Sequence, residues 1–555
     1  MNVFMRAVPR DDDTFKVDLD TLLVLHIFNL CNNSEAVLNV VYTVPLDNAD
    51  YIFNIGQVRC VFKDVSQVPR ETTYCTWPLV VDRSITVAGL CSVSRHLIKS
   101  SNEDSIKDLL GYKESCLIAS CEASWWTKFC EIEVIAAVKD LIKTIKCNGK
   151  IYIPVELSRF EKLLSQPVRM HNIYKAAREQ NNDKQLPSGT PVNRLNLCHS
   201  FAEGCKVTLS DMLLHPCFEI IFGIMGTIMF KSLFPLVAQW FRAVNVRNKL
   251  LKFATDVDLL DVGTVIFKLT AQTSAFHSEI KCYTRPKIST KQEYVAQALR
   301  FVRKDLKLKV RNDIEPFGFD VEFDWEQLPP DVSPESGALP ENRAGRKREQ
   351  LENLARAVIK LSKGKRHRIV DFCSGSGHLG ILLAALLPDC HIILIENKEM
   401  SMARAEERVA KLNLSNVTLL QCNVDYFECE FDVGVSLHAC NVATDLVIQT
   451  CIDNRAHFVC CPCCYGGIQD CHRVSYPRSD ELRSIKRGYY FSIAHAADQT
   501  HDDENMKTKQ GFLCMDVIDT DRKLHAEKLG YTVYLGKLQP VTCTVKNNLL
   551  VGIYR

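Results

Sequence analysis

The stretch that most constrains the fold of this chain runs from Arg368 to Gly380 and reads RIVDFCSGSGHLG. A short β-type run ending at Asp371 meets a glycine-broken turn, and an apolar helical run follows. This order predicts a strand, a tight turn and the start of a helix, which together cradle a nucleotide-like ligand. The glycines of the turn, Gly375, Gly377 and Gly380, let the backbone bend sharply and let a ligand approach without a Cβ in the way.

A second buried strand is predicted within HIILIENKEM, and it ends at Glu396. An acidic residue at the tip of the second strand can hold a ribose diol through paired hydrogen bonds. The distance from Asp371 to Glu396 along the chain fits one βαβ unit. The alternative is a βαβ unit without a ligand, in which Glu396 is only a solvated strand end.

Nicotinamide enzymes and methyltransferases both use a glycine turn and an acidic second strand. The residues within the turn distinguish these two classes of enzyme. Here the turn reads Asp-x-Cys-x-Gly-x-Gly, the third strand ends at Asn423, and the last 25 or so residues predict an antiparallel strand pair. This combination resembles the class I methyltransferases, with Cys373 narrowing the turn where their first glycine stands. The resemblance implies an α/β, doubly wound sheet with one antiparallel strand and S-adenosyl-L-methionine as cofactor. The implied cofactor-binding residues are Asp371, Cys373, Gly375, Gly377, Glu396 and Asn423.

Composition excludes several classes of protein. A length of 555 residues predicts two to four domains, and a net charge of +2 gives no bulk attraction to nucleic acid or membrane. The 25 cysteines lack the regular spacing of a secreted scaffold, which favours a reducing, cytoplasmic environment. No signal peptide opens the chain, and the apolar run from Ile220 to Phe230 is too short to cross a bilayer. We therefore expect no membrane contact.

The sequence of the N-terminal half predicts two domains, an α/β domain over 1–102 and a helical domain over 103–311. The second contains a capping box from Thr208 to Asp211 ahead of an apolar helix. The segments WPLVV, SVSRHLI and FPLVAQWFRAV resemble the glutathione transferases, which implies a thioredoxin-like domain with a cis proline at Pro78 and a helical C-terminal domain. The family's thiol-binding serine falls among Ala88, Gly89 and Leu90, so we expect a docking or dimerisation module without transferase activity.

Residues 312–345 are acidic and proline-rich, which predicts a linker or an extended arm before a methyltransferase domain over 346–555. The helix that follows has one apolar face, formed by Leu351, Leu354, Ala355, Val358 and Leu361. Its other face and both ends are basic. Such a charge run is typical of a solvated surface, and it also suits contact with a phosphate backbone.

Two cysteine-containing loops follow the fourth and fifth strands, SLHACNVATD and VCCPCCYGGIQ. The first is similar to an LH-x-C-x-x-ATD segment of a tRNA 2′-O-methyltransferase family. Together with the transferase-like front half, the whole chain resembles the glutathione S-transferase C-terminal domain-containing protein family. One departure is Asn441, which stands where glycine is expected, although asparagine tolerates left-handed backbone.

We predict catalytic roles for His438, Cys440, Asp445, Cys463 and Tyr465. His438 is a candidate general base on a hydroxyl or an amine, because the pKa of histidine can lie near neutrality. Asp445 is a candidate to orient His438 or to bind substrate, and the alternative is that both only shape the loop and cap the next helix. Tyr465 is a candidate for stacking on a base or covering the methyl donor. The pairs Cys460 with Cys463 and Cys461 with Cys464 have the Cys-x-x-Cys spacing of zinc ligands, but we favour a cysteine-lined loop and assign no metal ligand.

The sequence therefore predicts an S-adenosylmethionine-dependent methyltransferase acting on RNA, with tRNA as the narrower expectation. The helical domain is expected to bind a protein partner or a second copy of the chain. One alternative is a binding or scaffold protein that keeps the cofactor fold without catalysis. A glutathione-using transferase is the other alternative.

Overall fold

A computed structural model describes residues 1–10, 14–43, 51–54, 59–148, 153–168, 173–182, 184–195, 197–247, 254–255, 288–310, 315–337, 341–500 and 505–555. Contacts divide the chain into two compact units, Met1–Arg83 with Val87–Thr284 and Ser84–Thr86 with Arg285–Arg555. The sequence predicts the end of the helical domain at residue 311, whereas the division by contacts lies nearer residue 285. Within the described ranges, no helix combines the length and the apolar character needed to cross a bilayer.

The first unit starts with a small sheet, in the part of the chain for which the sequence predicts an α/β domain. Its strands are β1 Asn2–Pro9, β2 Thr14–Val17, β3 Val37–Tyr42, β4 Tyr51–Asn54, β5 Cys60–Lys63, β6 Leu79–Asp82, β7 Ile85–Ala88 and the short β8 Ala254–Thr255. Strand β1 pairs in parallel with β3 and antiparallel with β6, and β7 lies next to β6. The Trp77–Pro78 peptide bond is cis, as predicted. A parallel β-α-β unit followed by a hairpin and a helix is the order of a thioredoxin-like fold.

Most of the remaining described residues of the first unit lie in helices. They are α1 Leu19–Cys31, α2 Leu90–Lys99, α3 Asp104–Lys107, α4 Trp125–Lys128, α5 Val134–Asn148, α6 Val155–Leu164, α7 Ile173–Gln180, α8 Leu209–Met225, α9 Thr227–Leu233 and α10 Pro235–Arg247. The capping box at the start of α8 is confirmed, because the Thr208 amide donates to Asp211 Oδ2 at 2.8 Å. The second oxygen of Asp211 accepts from Trp240 Nε1 at 2.7 Å, which ties α8 to α10. The edge of Trp240 packs on Phe160 with ring centroids 4.8 Å apart.

The second unit is a sheet of seven strands with helices packed against it. The strands are β9 Arg368–Phe372, β10 His391–Ile395, β11 Val417–Gln421, β12 Val433–Leu437, β13 His457–Cys461, β14 Tyr531–Lys537 and β15 Asn548–Tyr554. Their order is β14-β15-β13-β12-β9-β10-β11. Strand β15 is antiparallel to both β13 and β14, and the central strands pair in parallel. The doubly wound sheet with one reversed strand is therefore confirmed.

The helices of this unit include two that the sequence patterns miss. The helices are α11 Gln292–Lys304, α12 Glu341–Ser362, α13 His378–Leu386, α14 Glu399–Lys411, α15 Val442–Asp453, α16 Arg487–Ala496 and α17 Met506–Lys528. The sequence predicts only the last turn of α17, from residue 523 to 529, and gives no helix at α16. Both helices carry buried polar residues, such as Asp519, Asp521 and Arg522 in α17, which interrupt the apolar pattern.

The acidic, proline-rich segment forms an arm that packs on α12. Its described part, residues 315–337, contains short helical turns, and Val332 is fully buried. The guanidinium of Arg348 lies over the Trp325 ring at 5.0 Å, and Lys360 donates to Asp320 Oδ1 at 2.7 Å. The sequence predicts a solvated face for the basic side chains of α12, but some of them contact this arm and hold it against the helix.

Candidate active site

Asp371 stands near the end of the central strand β9 and is almost fully buried. Its Oδ2 accepts a hydrogen bond from the backbone amide of Gly380 at 2.8 Å, in the first turn of α13. Burial raises the pKa of Asp371 to about 7, and the Gly380 bond and the nearby Lys347 ammonium oppose that rise. An incoming cation beside this carboxyl would favour its ionised form.

The turn between β9 and α13 has left-handed backbone at three positions. Cys373 has φ +56°, Gly375 +58° and Gly377 +76°. A Cβ built on Gly375 would meet nothing within 4 Å, whereas one on Gly377 would lie 2.7 Å from Leu394 Cδ2. Gly375 therefore lies beside open space, and Gly377 is needed for close packing of the turn on β10. Cys373 adopts the backbone region that glycine favours, so its Cβ does not prevent the turn.

Glu396 lies just beyond the end of β10, with both carboxylate oxygens at the turn. Oε2 accepts from the Gly375 amide and Oε1 from the Lys398 amide, each at 2.9 Å. Each carboxylate oxygen can accept a second hydrogen bond. This orientation suits the two hydroxyls of a ribose.

Asn423 follows β11 at the same carboxyl edge of the sheet. Its Oδ1 accepts from the Val424 amide at 2.8 Å and caps a short helical turn. Its Nδ2 donates weakly to Asp425 Oδ2 at 3.4 Å. The three strand ends that carry Asp371, Glu396 and Asn423 are neighbours in the sheet, as the sequence predicts.

Lys347 is a further candidate site residue, although the sequence pattern predicts a solvated position on the basic face of its helix. Burial lowers its pKa to about 8, while the carboxyl of Asp371 opposes that change. The Lys347 ammonium also lowers the pKa of His438, so Lys347 interacts electrostatically with both Asp371 and His438. The sequence does indicate a buried position for this lysine, because Lys347 precedes Leu351 by four residues and therefore belongs to the apolar face of α12.

His438 follows β12 with a left-handed backbone, φ +75°. Its Nε2 lies 3.1 Å from Gln350 Oε1, and Gln350 Nε2 donates to the carbonyl of Cys543 at 2.9 Å. Since the amide of Gln350 is oriented by that second bond, its oxygen must accept from His438 Nε2, and the lone pair of the neutral ring lies on Nδ1. Burial lowers the pKa of His438 to about 4, below the near-neutral range of an ordinary histidine base.

Asp445 does not orient His438, which corrects that expectation. It is buried in α15, where its Oδ2 accepts from Arg522 Nη2 at 2.6 Å and from the Tyr476 hydroxyl at 2.7 Å. These partners come from the segment after β13 and from α17, far along the chain. Asp445 therefore belongs to a buried ion-pair network that holds α15 against α17.

Tyr465 is also part of this network and has no accessible ring face. Its side chain is fully buried, and its hydroxyl donates to Asp519 Oδ2 at 2.7 Å. The guanidinium of Arg522 lies 5.4 Å from the centre of the ring. The expectation that Tyr465 stacks on a nucleic-acid base is therefore wrong, because the protein core covers it.

The cysteines of the two loops divide into a buried pair and a cluster of three. Cys460 and Cys461 are fully buried within β13. Cys463 Sγ lies 3.2 Å from Cys440 Sγ and 3.5 Å from Cys464 Sγ. Hydrogen bonding among these thiols lowers the pKa of Cys440 and raises that of Cys463. The Cys-x-x-Cys pairs do not form; residues from two different loops meet instead.

Asn441 supports the turn between His438 and α15. It has φ +55° and ψ −124°, which is positive φ, as expected of a glycine position, but not the left-handed helical conformation. Its amide donates to the carbonyl of Cys464 at 3.0 Å, and its Oδ1 accepts from the Gly467 amide at 2.7 Å. These bonds join the loops that follow β12 and β13.

Comparison with known proteins places a methyltransferase domain in this unit. A family model described as a methyltransferase domain matches residues 346–471. Two solved structures are similar to part of the chain: a SAM dependent methyltransferase from Aquifex aeolicus (12% identity, TM-score 0.23, 38% of this chain and 96% of that chain) and a fibrillarin/Nop5p complex (14% identity, TM-score 0.23, 38% and 82%). The strand order of the sheet and the family match identify the methyltransferase fold.

S-adenosyl-L-methionine is the cofactor of this domain, and the residues present fit it. The methionine part carries an ammonium and a carboxylate, and Asp371 and Lys347 offer the complementary charges. Glu396 keeps acceptor capacity for a ribose, and the open space at Gly375 leaves room for a ligand against the turn. When bound, the cofactor supplies a methyl group made electrophilic by the sulfonium that carries it.

Curated relatives match nearly the whole chain. A "Glutathione S-transferase C-terminal domain-containing protein homolog" from Drosophila pseudoobscura pseudoobscura is 42% identical over 575 residues, covering 98% of this chain and 96% of that protein. The "Glutathione S-transferase C-terminal domain-containing protein" of Homo sapiens is 32% identical over 607 residues, covering 96% and 95%. At this identity and coverage, the chain belongs to the glutathione S-transferase C-terminal domain-containing protein family.

Proposed function

We propose that the second unit transfers a methyl group from S-adenosylmethionine to RNA, with tRNA as the narrower expectation. The observation that carries this proposal is the meeting of Asp371, Lys347 and Glu396 around the glycine turn. An anion, a cation and a ribose-type acceptor lie near the carboxyl ends of the parallel strands of one sheet, where open α/β sheets bind ligands.

Within this proposal, five of the site residues have distinct roles. Asp371 holds the methionine ammonium, and Lys347 holds its carboxylate. Glu396 binds the ribose hydroxyls, and Asn423 contacts the adenine amino group. His438 Nδ1 accepts the proton that leaves the methyl acceptor as the new bond forms.

The proposal of an RNA substrate is supported by the sequence resemblance of SLHACNVATD and by exposed basic residues. Lys363, Lys365 and Arg366 are exposed at the end of α12, and Arg346 is exposed near its start. Other basic residues of this helix are engaged, since Arg356 pairs with Glu352 at 2.7 Å. The surface proposed for a phosphate backbone is therefore confined to the two ends of α12.

We also propose that the first unit is a non-catalytic docking or dimerisation module and that the protein acts in the cytoplasm. Helix α2 begins at Leu90 after Gly89, so no side-chain hydroxyl stands at the position of the thiol-binding serine. The many free cysteines, such as the buried Cys91 and Cys130, suit a reducing compartment.

A second candidate function is a cofactor-binding protein that does not catalyse transfer. One observation favours it: burial lowers the pKa of His438 to about 4, which makes this ring a weak base. Binding would then survive without turnover. The two functions separate when binding and methyl transfer are measured on the same preparation.

Calorimetry with S-adenosylmethionine tests the cofactor site first. We expect binding by the full chain, and a large loss of affinity in Asp371→Ala. Absence of binding at millimolar ligand, or normal binding by the variant, would contradict the proposal. Crosslinking in cells followed by sequencing of the attached RNA then tests the substrate.

The crosslinking experiment needs a matched charge control. We expect enriched RNA with the wild-type chain and reduced recovery with a Lys363→Glu, Lys365→Glu double variant. The control is a Lys143→Glu, Lys146→Glu double variant, which makes the same charge change at two exposed lysines of α5 and should recover the same RNA as the wild type. No enriched RNA, or equal recovery by all variants, would count against an RNA substrate bound at this surface.

A further inference from the structure

We propose that the thiols of Cys440, Cys463 and Cys464 form a binding site for Zn²⁺. All three Sγ atoms lie within 4.8 Å of one another. The two shortest separations are 3.2 and 3.5 Å, from Cys463 to Cys440 and to Cys464. Zinc–thiolate bonds of about 2.3 Å in tetrahedral geometry place sulfurs about 3.8 Å apart. Shifts of roughly half an ångström would therefore bring this group to coordinating geometry.

The fold brings these thiols together before any ion binds. Cys440 lies between β12 and α15, and Cys463 and Cys464 follow β13, the parallel neighbour of β12. The Asn441 amide donates to the Cys464 carbonyl at 3.0 Å, so the two loops are joined next to the cluster. Pro462 restricts the backbone just before Cys463. The cluster is thus held by backbone contacts, which lowers the entropy lost on binding an ion.

The surroundings suit a negatively charged metal-thiolate group. Lys398 and Lys546 both lie close enough to act electrostatically on the cluster, on Cys440 and Cys464 respectively. Three thiolates and one Zn²⁺ leave a net charge of −1, which these ammonium groups can offset. Thiolate sulfur selects zinc over the hard cations Mg²⁺ and Ca²⁺.

The site has three protein ligands and an accessible side. Cys440 is exposed, and Cys463 and Cys464 are half-buried, so an ion can enter from solvent. Three protein ligands with an open fourth position is the pattern of zinc sites that bind water or a substrate. The inference does not depend on the identity of the methyl acceptor, since it concerns only the thiols and their surroundings.

Metal analysis of the full chain tests this site. We would purify the protein under reducing, anaerobic conditions, incubate it with Zn²⁺, remove loosely bound ion and measure zinc by mass spectrometry. Cys440→Ser and Cys464→Ser should each retain about one zinc fewer per chain than the wild type, or bind it at least roughly tenfold more weakly. Cys147→Ser, which alters an exposed cysteine of α5, is the matched control and should retain the wild-type amount.

Binding of Co²⁺ provides a spectroscopic test that does not depend on measuring the zinc content. Loading with Co²⁺ should give the intense visible bands of tetrahedral coordination and a thiolate-to-metal charge-transfer band in the near ultraviolet. Both should disappear in Cys440→Ser, while circular dichroism shows that this variant is folded. Equal zinc content in the wild type and the cluster variants, with all thiols shown by titration to be reduced, would overturn the proposal. A wild-type chain that retains no zinc in that reduced state would overturn it as well.

Discussion

Replacing Glu396 with glutamine should weaken cofactor binding and also destabilise the turn, for a reason visible in its hydrogen bonds. Both carboxylate oxygens accept a backbone amide, from Gly375 and from Lys398, each at 2.9 Å. A carboxamide has only one oxygen. Its NH₂ must therefore point at one of those two amides, donor against donor, whichever way the side chain turns.

The size of the effect follows from the bonds that are lost. A hydrogen bond to a charged group contributes about 1.5–3 kcal/mol, so losing one ribose contact of this kind should weaken S-adenosylmethionine binding roughly 10- to 150-fold. The backbone amide left without its acceptor should lower the free energy of unfolding by about 1–3 kcal/mol. Calorimetry measures the first effect, and chemical denaturation without ligand measures the second.

The control for Glu396→Gln is Glu407→Gln, which makes the same charge change at an exposed position of α14. It should leave both quantities close to those of the wild type. If Glu396→Gln bound the cofactor within about twofold of the wild type, a ribose contact worth this much would be refuted. Equal loss of affinity in both variants would show that only net charge matters.

Three further predictions concern the turn, the pH dependence of binding and the buried ion pairs. Gly377→Ala should lower the free energy of unfolding by more than Gly375→Ala does. Both residues have positive φ, which costs a non-glycine residue about 1–2 kcal/mol, but only the alanine at 377 would also clash with β10. Equal losses of stability in chemical denaturation would contradict this. Cofactor affinity should be greatest between about pH 7 and 8, since Asp371 is protonated below that range and Lys347 is neutral above it. Calorimetry across pH 6–9 should show this maximum. An affinity that does not change with pH would exclude ion pairs from Asp371 and Lys347 to the cofactor. Arg522→Met should lower the free energy of unfolding by about 3–5 kcal/mol, because it leaves the buried Asp519 without its cation and leaves Asp445 with only Arg478, whose Nε is 3.8 Å away. A loss under about 1 kcal/mol would refute that role.

The sequence predicts the strand, turn and helix around Asp371 correctly because their determinants are local. Asp371, the glycines and Glu396 lie in one βαβ unit, and the spacing of that unit is fixed by a strand, a helix and a second strand. The final hairpin is equally local. Each of these features depends on patterns that a short window of residues contains.

The errors at Asp445 and Tyr465 arise from contacts between residues far apart in the chain. The sequence places both residues near the active site because they follow β12 and β13, but their partners Arg522 and Asp519 belong to α17. That helix buries charged residues, so its pattern does not look like that of an apolar core helix. Lys347 was missed for the opposite reason, because a lysine on a basic helix is usually solvated.

The arm over residues 315–337 determines where the catalytic unit can be cut for separate expression. A Cβ on Gly318 would lie 2.8 Å from the backbone of Ala357, so the arm lies directly on α12 at this point. The Trp325 indole also donates to Glu352 of that helix at 3.3 Å. A fragment that began at residue 346, where the methyltransferase family match starts, would expose the apolar surface beneath the arm and truncate the helix that carries Lys347. Such a fragment should aggregate or lose the cofactor, whereas one that begins ahead of α11 keeps the packing of that helix on α16.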